Sequence, residues 1–181
     1  MKNKVVTQIK SMPLAGWQTS ELTWTVGLTL AAIIAPALLA HSPGNQWITG
    51  TLVNLTLFAA AYRLPLANAF LVGALPSSIA LTRGLLPPPM ALMIPYIIFS
   101  NIVLITAFKF LKNNVLQGAL AASIAKFALL YGASLLLAGS LNSQLLYMFS
   151  WPQLATALAG GLAFVGGIKG WKKMNYSNYS D

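Results

Sequence analysis

Six apolar runs, separated by short polar or proline-rich breaks, make up nearly the whole chain. They cover roughly residues 22–40, 48–62, 65–81, 90–110, 115–138 and 149–168. A transmembrane helix needs about 20 mainly apolar residues to cross the hydrocarbon core. The pattern therefore predicts an all-α integral membrane protein, a bundle of about six transmembrane helices forming one domain over 1–181. The breaks are His41-Ser42-Pro43-Gly44-Asn45, Leu86-Pro87-Pro88-Pro89, Lys112-Asn113-Asn114 and an uncharged polar stretch from Gly139 to Gln144. Leu64-Pro65 predicts a tight turn, because the residue before proline is pushed away from helical backbone angles. Ser20-Glu21 has the form of a helix start. Pro36 predicts a bend in the first helix.

Composition sharpens this picture. Of the 181 residues, 57% are hydrophobic and only 7% charged. A soluble domain is typically about 25% charged, so the solvent for this surface is largely lipid. The net charge of +9 would suit an anionic partner. In a membrane protein its first reading is topological, since cytoplasmic loops carry the excess of Lys and Arg. With the N-terminus inside, Lys2, Lys4, Lys10, Arg63, Lys109, Lys112, Lys169, Lys172 and Lys173 all fall inside. Arg83 alone falls outside, and Lys126 lies within the fifth span. The expectation is thus a cytoplasmic N-terminal segment (1–21), a cytoplasmic tail (169–181) and both termini in the cytoplasm. The run 22–40 after a basic N-terminus also has the order of a secretory signal, but the polar stretch before it is long for one.

Several function classes lack their parts. There is no cysteine, one histidine (His41) and two acids, Glu21 and Asp181. That inventory excludes most metal centres built from side chains, paired carboxylates, a Ser-His-Asp triad and the usual proton-relay acids within the membrane. No Walker-type phosphate loop is present. The expectation is a protein that is not an enzyme, has no catalytic or metal-binding residues and no cofactor of its own, and does not bind nucleic acid.

What remains is polar chemistry inside the apolar runs. A charge at mid-membrane costs about 2.5–3.5 kcal/mol on insertion scales and usually faces a bundle interior or cavity. Lys126 is such a charge, with no intramembrane acid to pair with it. Following the alternating direction of the spans, Asn54, Ser77, Ser78, Arg83, Asn101, Tyr131, Trp151 and Gln153 fall between mid-membrane and the outer surface. Their depths agree with a single outward-opening cavity. Asn68 falls near the inner face, in a turn or helix contact. The candidate ligand-binding set is Lys126, Asn101, Asn54, Gln153, Trp151, Tyr131 and Arg83. Serines, Thr156 and interfacial aromatics have plainer uses as helix glue and headgroup-level anchors. Lys126 favours an anionic or electron-rich group on the ligand, the amides suit a heterocycle, and a free metal cation fits poorly. Ala31 and Ala35 form a small-residue face on the first helix, and Gly160-Gly161 and Gly166-Gly167 do so on the last.

This plan, together with Thr49-Gly-Thr-Leu-Val-Asn54, Gly84-Leu-Leu-Pro-Pro-Pro-Met-Ala-Leu-Met-Ile-Pro-Tyr96, Ser100-Asn101, Ala125-Lys126-Phe127 and Ser150-Trp-Pro-Gln153, resembles the substrate-binding S components of energy-coupling factor (ECF) transporters. The likeness covers nearly the whole chain and points to an uncharacterised prokaryotic group. It implies a multi-pass protein of the prokaryotic cell membrane that captures a vitamin or cofactor precursor from outside. It further implies docking on a transmembrane T component that carries two cytoplasmic ATPases. The family's Ala-xxx-Ala docking motif would fall on Ala31 and Ala35, with Pro36 a departure from it. A stand-alone permease and a non-transport anchor or assembly subunit remain open alternatives. On the S-component reading, Ala31→Leu or Ala35→Leu should reduce uptake in cells far more than ligand binding to the purified protein. Equal loss of both would mean that this face packs within the chain.

Overall fold

The computed structural model describes residues 19–39, 44–82, 88–111 and 113–177. Every regular element among them is helical. Six long helices form the body: α1 (Thr19–Leu39), α2 (Asn45–Arg63), α3 (Leu66–Thr82), α5 (Ile94–Phe110), α6 (Val115–Leu136) and α8 (Trp151–Ser177). Two short helices, α4 (Pro88–Ala91) and α7 (Ser143–Met148), precede α5 and α8. Four stretches are long and apolar enough to cross a membrane: Thr19–Leu39, Pro89–Phe110, Val115–Leu136 and Ser143–Trp171. Leu66–Thr82 is apolar but shorter, and α2 carries more polar side chains. Large apolar residues stand exposed on the outside, among them Leu38, Phe110, Leu136, Ile124 and Leu162. A water-soluble monomer rarely presents so much contiguous apolar surface. This is the surface of a membrane protein.

Local chemistry explains most boundaries. Asn114 caps α6 by accepting from the Gln117 N–H at 3.2 Å, and Asn142 caps α7 through Leu145 N–H at 2.9 Å. The expected fourth span is broken in two at Leu92-Met93. Pro95 sits in the first turn of α5 and has no N–H to continue the ladder from α4. A tighter bond from Met93 N–H to the Met90 carbonyl closes the gap. Pro36 and Pro76 are instead accommodated inside α1 and α3. The helix expected to start after Ser20 already includes Thr19, and the last helix runs to Ser177, well into the stretch expected as a tail. The polar stretch near Gly139–Gln144 is ordered as a short 3₁₀ turn and the start of α7.

The long helices close into a ring in the order α1, α2, α8, α6, α5, α3, with α2 also crossing the interior to touch α5. That gives α2 four long-helix neighbours, α1, α8, α5 and α3. It tolerates buried Asn54 and Thr56 because they face protein rather than lipid. One half of the bundle is filled by a dense core that includes Leu57, Leu104, Ile105, Val72 and Ala122. Phe58, Phe108 and Phe164 meet there edge-on and stacked, with ring centroids 5.2–6.2 Å apart. Lys109 Nζ donates to the Leu64 carbonyl at 2.6 Å, tying the end of α2 to α5. A smaller cluster around Met93, Leu130, Leu145 and Phe149 lies at the opposite end.

Close approach of α2 and α8 depends on Gly160. A β-carbon there would sit 2.8 Å from the Thr51 carbonyl oxygen and the Leu55 nitrogen. Gly166, in contrast, has nothing within 4 Å. The two glycine pairs expected to act alike therefore divide into one that packs inside the chain and one on open surface. Gly160→Ala should lower the thermal unfolding midpoint, at a cost of about 1–3 kcal/mol for overpacking. Gly166→Ala should leave it unchanged or raise it.

Candidate functional site

The half of the bundle opposite the Phe58-Phe108-Phe164 core holds a cavity of about 650 Å³. That volume lies within the range of about 300–1,000 Å³ usual for small-molecule sites. Its wall is drawn from the C-terminal halves of α1 and α3, the N-terminal halves of α2 and α5, α6 from Lys126 onward, and the α7–α8 junction. Antiparallel neighbours thus bring alternate helix ends to one level. The wall is mainly apolar, with polar side chains from Thr49, Asn54, Ser77, Asn101, Lys126 and Gln153.

The polar centre lies midway along the helices. Lys126 Nζ donates to Asn54 Oδ1 at 2.7 Å, and Asn54 Nδ2 donates to the Gly50 carbonyl at 2.8 Å. Both side chains are buried, at 4% and 1% exposure. The bond joins α6 to α2 across the interior. Among the described residues the only carboxylate is Glu21, in the first turn of α1 and at the other end of the bundle. The ammonium therefore has an amide dipole in place of a counter-ion. In the same cavity wall, Asn101 Nδ2 of α5 donates to the Gly73 carbonyl of α3 at 2.8 Å. That bond orients the amide, and Asn101 Oδ1 is buried without a hydrogen-bond partner among the described residues. Gly73 permits the approach: a β-carbon there would lie 3.1 Å from Ile105 and 3.4 Å from Asn101.

Four of the seven candidate ligand-binding residues therefore share one cavity, Lys126, Asn54, Asn101 and Gln153, and Ser77, named with them by depth, lines it too. Tyr131 and Trp151 are not part of its lining. Tyr131 is exposed and stacks on Phe127 at 5.5 Å. Trp151 is exposed beside Trp47 and Tyr147, at 5.0 and 6.0 Å. This aromatic group at one rim of the bundle matches the position of headgroup-level anchors. Arg83 lies outside the described residues. Ala31 is exposed and Ala35 half-buried, both off the cavity, whereas Ala32 on the adjoining face lines it. Ser78 and Thr156 bond back to carbonyls of their own helices, and Thr156 packs against Gly50. Asn68 is buried in α3 near its start, as its depth suggested.

Pro36 and Pro76 cannot donate to the carbonyls of Ala32 and Val72, four residues earlier, and all four residues line the cavity. The sequence signal is a proline inside an apolar run; the sequence reading takes Pro36 as a bend and does not single out Pro76.

No family model, curated protein or solved structure matches the chain.

The Lys126–Asn54 bond gives a direct test of how the cavity is held. Asn54→Leu should destabilise the protein by about 1.5–3 kcal/mol, because it strands a buried ammonium. Adding Lys126→Met should recover much of that loss. A double-mutant cycle on detergent unfolding would show additive losses if the two side chains acted independently.

Proposed function

We propose that this protein is the substrate-capture subunit of an ATP-driven micronutrient importer of the prokaryotic plasma membrane. The single observation that carries the reading is the mid-depth cavity, mainly apolar with Lys126, Asn54 and Asn101 at its deep end, sealed there by the Phe58-Phe108-Phe164 core. A pocket of that size closed on one side binds and holds a solute. A channel or a stand-alone permease needs a path through both halves. The chain has no phosphate loop, so in this reading ATP hydrolysis belongs to partner subunits: a transmembrane T component and two cytoplasmic ATPases, as the S-component resemblance implies.

Orientation follows in the same reading. Arg63, Lys109, Lys169, Lys172 and Lys173 lie toward the end away from the cavity, and Lys126 is the described basic residue that does not. The excess of positive charge marks the cytoplasmic side. The cavity then opens outward and both termini lie inside. Basic side chains also have local uses at that end, as where Arg63 stands 5.6 Å over the Trp24 ring.

A metal ion is a poor cargo for this cavity, since Lys126 repels cations and no carboxylate lines the wall. A small, largely apolar organic molecule with a polar head suits it. The test is mass spectrometry of small molecules released from the detergent-purified protein, with Lys126→Met as comparison. A defined compound present in the wild type and reduced by at least about tenfold in the variant is the expected result. A wild-type protein that releases nothing would remove high-affinity capture as its function.

A further inference from the structure

A second groove, of about 330 Å³, lies at the basic end of the bundle between the start of α6 and the later part of α8. Its apolar lining is Val115 and Leu116 of α6 with Val165 and Ile168 of α8. Its polar lining is Asn113 and Asn114, just before α6, and Lys169. Both helices reach the limit of an apolar span here: one candidate span begins at Val115 and another ends at Trp171. In a bilayer the groove therefore sits at headgroup depth. Leu116, Leu120 and Ile124 stand one turn apart on α6 and are all exposed, so an apolar strip leads from the groove toward mid-membrane. Lys169 is exposed and makes no hydrogen bond or ion pair with any described residue. Positions 172 and 173 of α8, three and four residues on, are also lysines, which is the spacing of one helix face.

We infer that this groove binds an anionic phospholipid, with the phosphate paired to Lys169 and one acyl chain lying along Leu116, Leu120 and Ile124. An exposed strip of Leu and Ile within a membrane is covered by lipid in any case. The groove adds a positive charge at headgroup level, and that charge selects which lipid covers it. No acidic residue lines the groove to offset Lys169. A phosphatidylcholine head would bring its own cation beside the lysines, whereas phosphatidylglycerol brings a net negative charge and hydroxyls within the chemistry of the Asn113 amide. Basic pockets between membrane helices bind anionic headgroups on this principle. None of these residues lines the large cavity, so the inference is independent of the capture reading.

The experiment is native mass spectrometry of the full-length protein, stripped of lipid in mild detergent and titrated with phosphatidylglycerol or phosphatidylcholine of the same acyl chains. The first phosphatidylglycerol should bind at least about fivefold more tightly than the first phosphatidylcholine. Lys169→Gln should remove most of that preference. Arg63→Gln, which deletes a charge at the same end but outside the groove, should keep it. Added inorganic phosphate should leave the bound lipid in place, since a free anion lacks the acyl contact. The wild-type comparison of the two lipids needs no variant to fold. Equal binding of the two lipids, a preference retained in Lys169→Gln, equal loss in Arg63→Gln, displacement by phosphate, or a dimer that binds neither lipid overturns the assignment.

Discussion

A charge in the middle of an apolar bundle constrains everything around it. Lys126 sits near the centre of α6, and its ammonium must find partners inside protein because lipid offers none. Asn54 supplies the acceptor, held in place by its own bond to the Gly50 carbonyl. For the two to meet, α2 must be drawn into the ring and turned so that its polar face looks inward. Gly160 makes this possible by letting α8 lie against the α2 backbone at Thr51 and Leu55. The most polar long helix is thereby also the one packed on four others, and the exposed outer surface is left mainly to apolar side chains.

The same arrangement sorts the interior by depth. One half is close-packed around Phe58, Phe108 and Phe164, where aromatic and aliphatic side chains leave little space. In the other half, prolines and small residues stand where large side chains would fill the volume. Ala32, Pro36, Ala37, Gly50, Gly73, Pro76 and Ala80 all line the cavity. Small residues in the wall leave a volume that larger side chains would fill. The helix break at Leu92-Met93 and short helix α7 then place Met90, Met148 and Phe149 around the part of the cavity away from the Phe58-Phe108-Phe164 core.

Sequence reading reached a long way because lipid simplifies the code. Six apolar runs became six long helices, most boundaries lying within about three residues of those expected, and Asn54, Asn101, Lys126 and Gln153 could be grouped by depth alone. Depth along a helix is a linear coordinate, so alternating span direction suffices to place residues at one level. Rotation about the helix axis is different. Nothing in the one-dimensional pattern distinguishes Tyr131, which turns outward onto Phe127, from Leu130 beside it, which lines the cavity. Trp151 and Gln153 are likewise two residues apart and part company for the same reason.

The apolar and polar pattern by itself thus determined the all-helical architecture and the approximate levels of the polar groups. Those follow from composition and periodicity, which need no knowledge of neighbours. Tertiary structure decided which faces meet: that Lys126 reaches Asn54, that Asn101 spends its donor on Gly73 and keeps an acceptor unpaired among the described residues, and that Gly160 packs while Gly166 does not. Each of these depends on the azimuth and crossing of two helices. Hydrophobic periodicity is too weak to set them in a chain whose helices are apolar nearly all round.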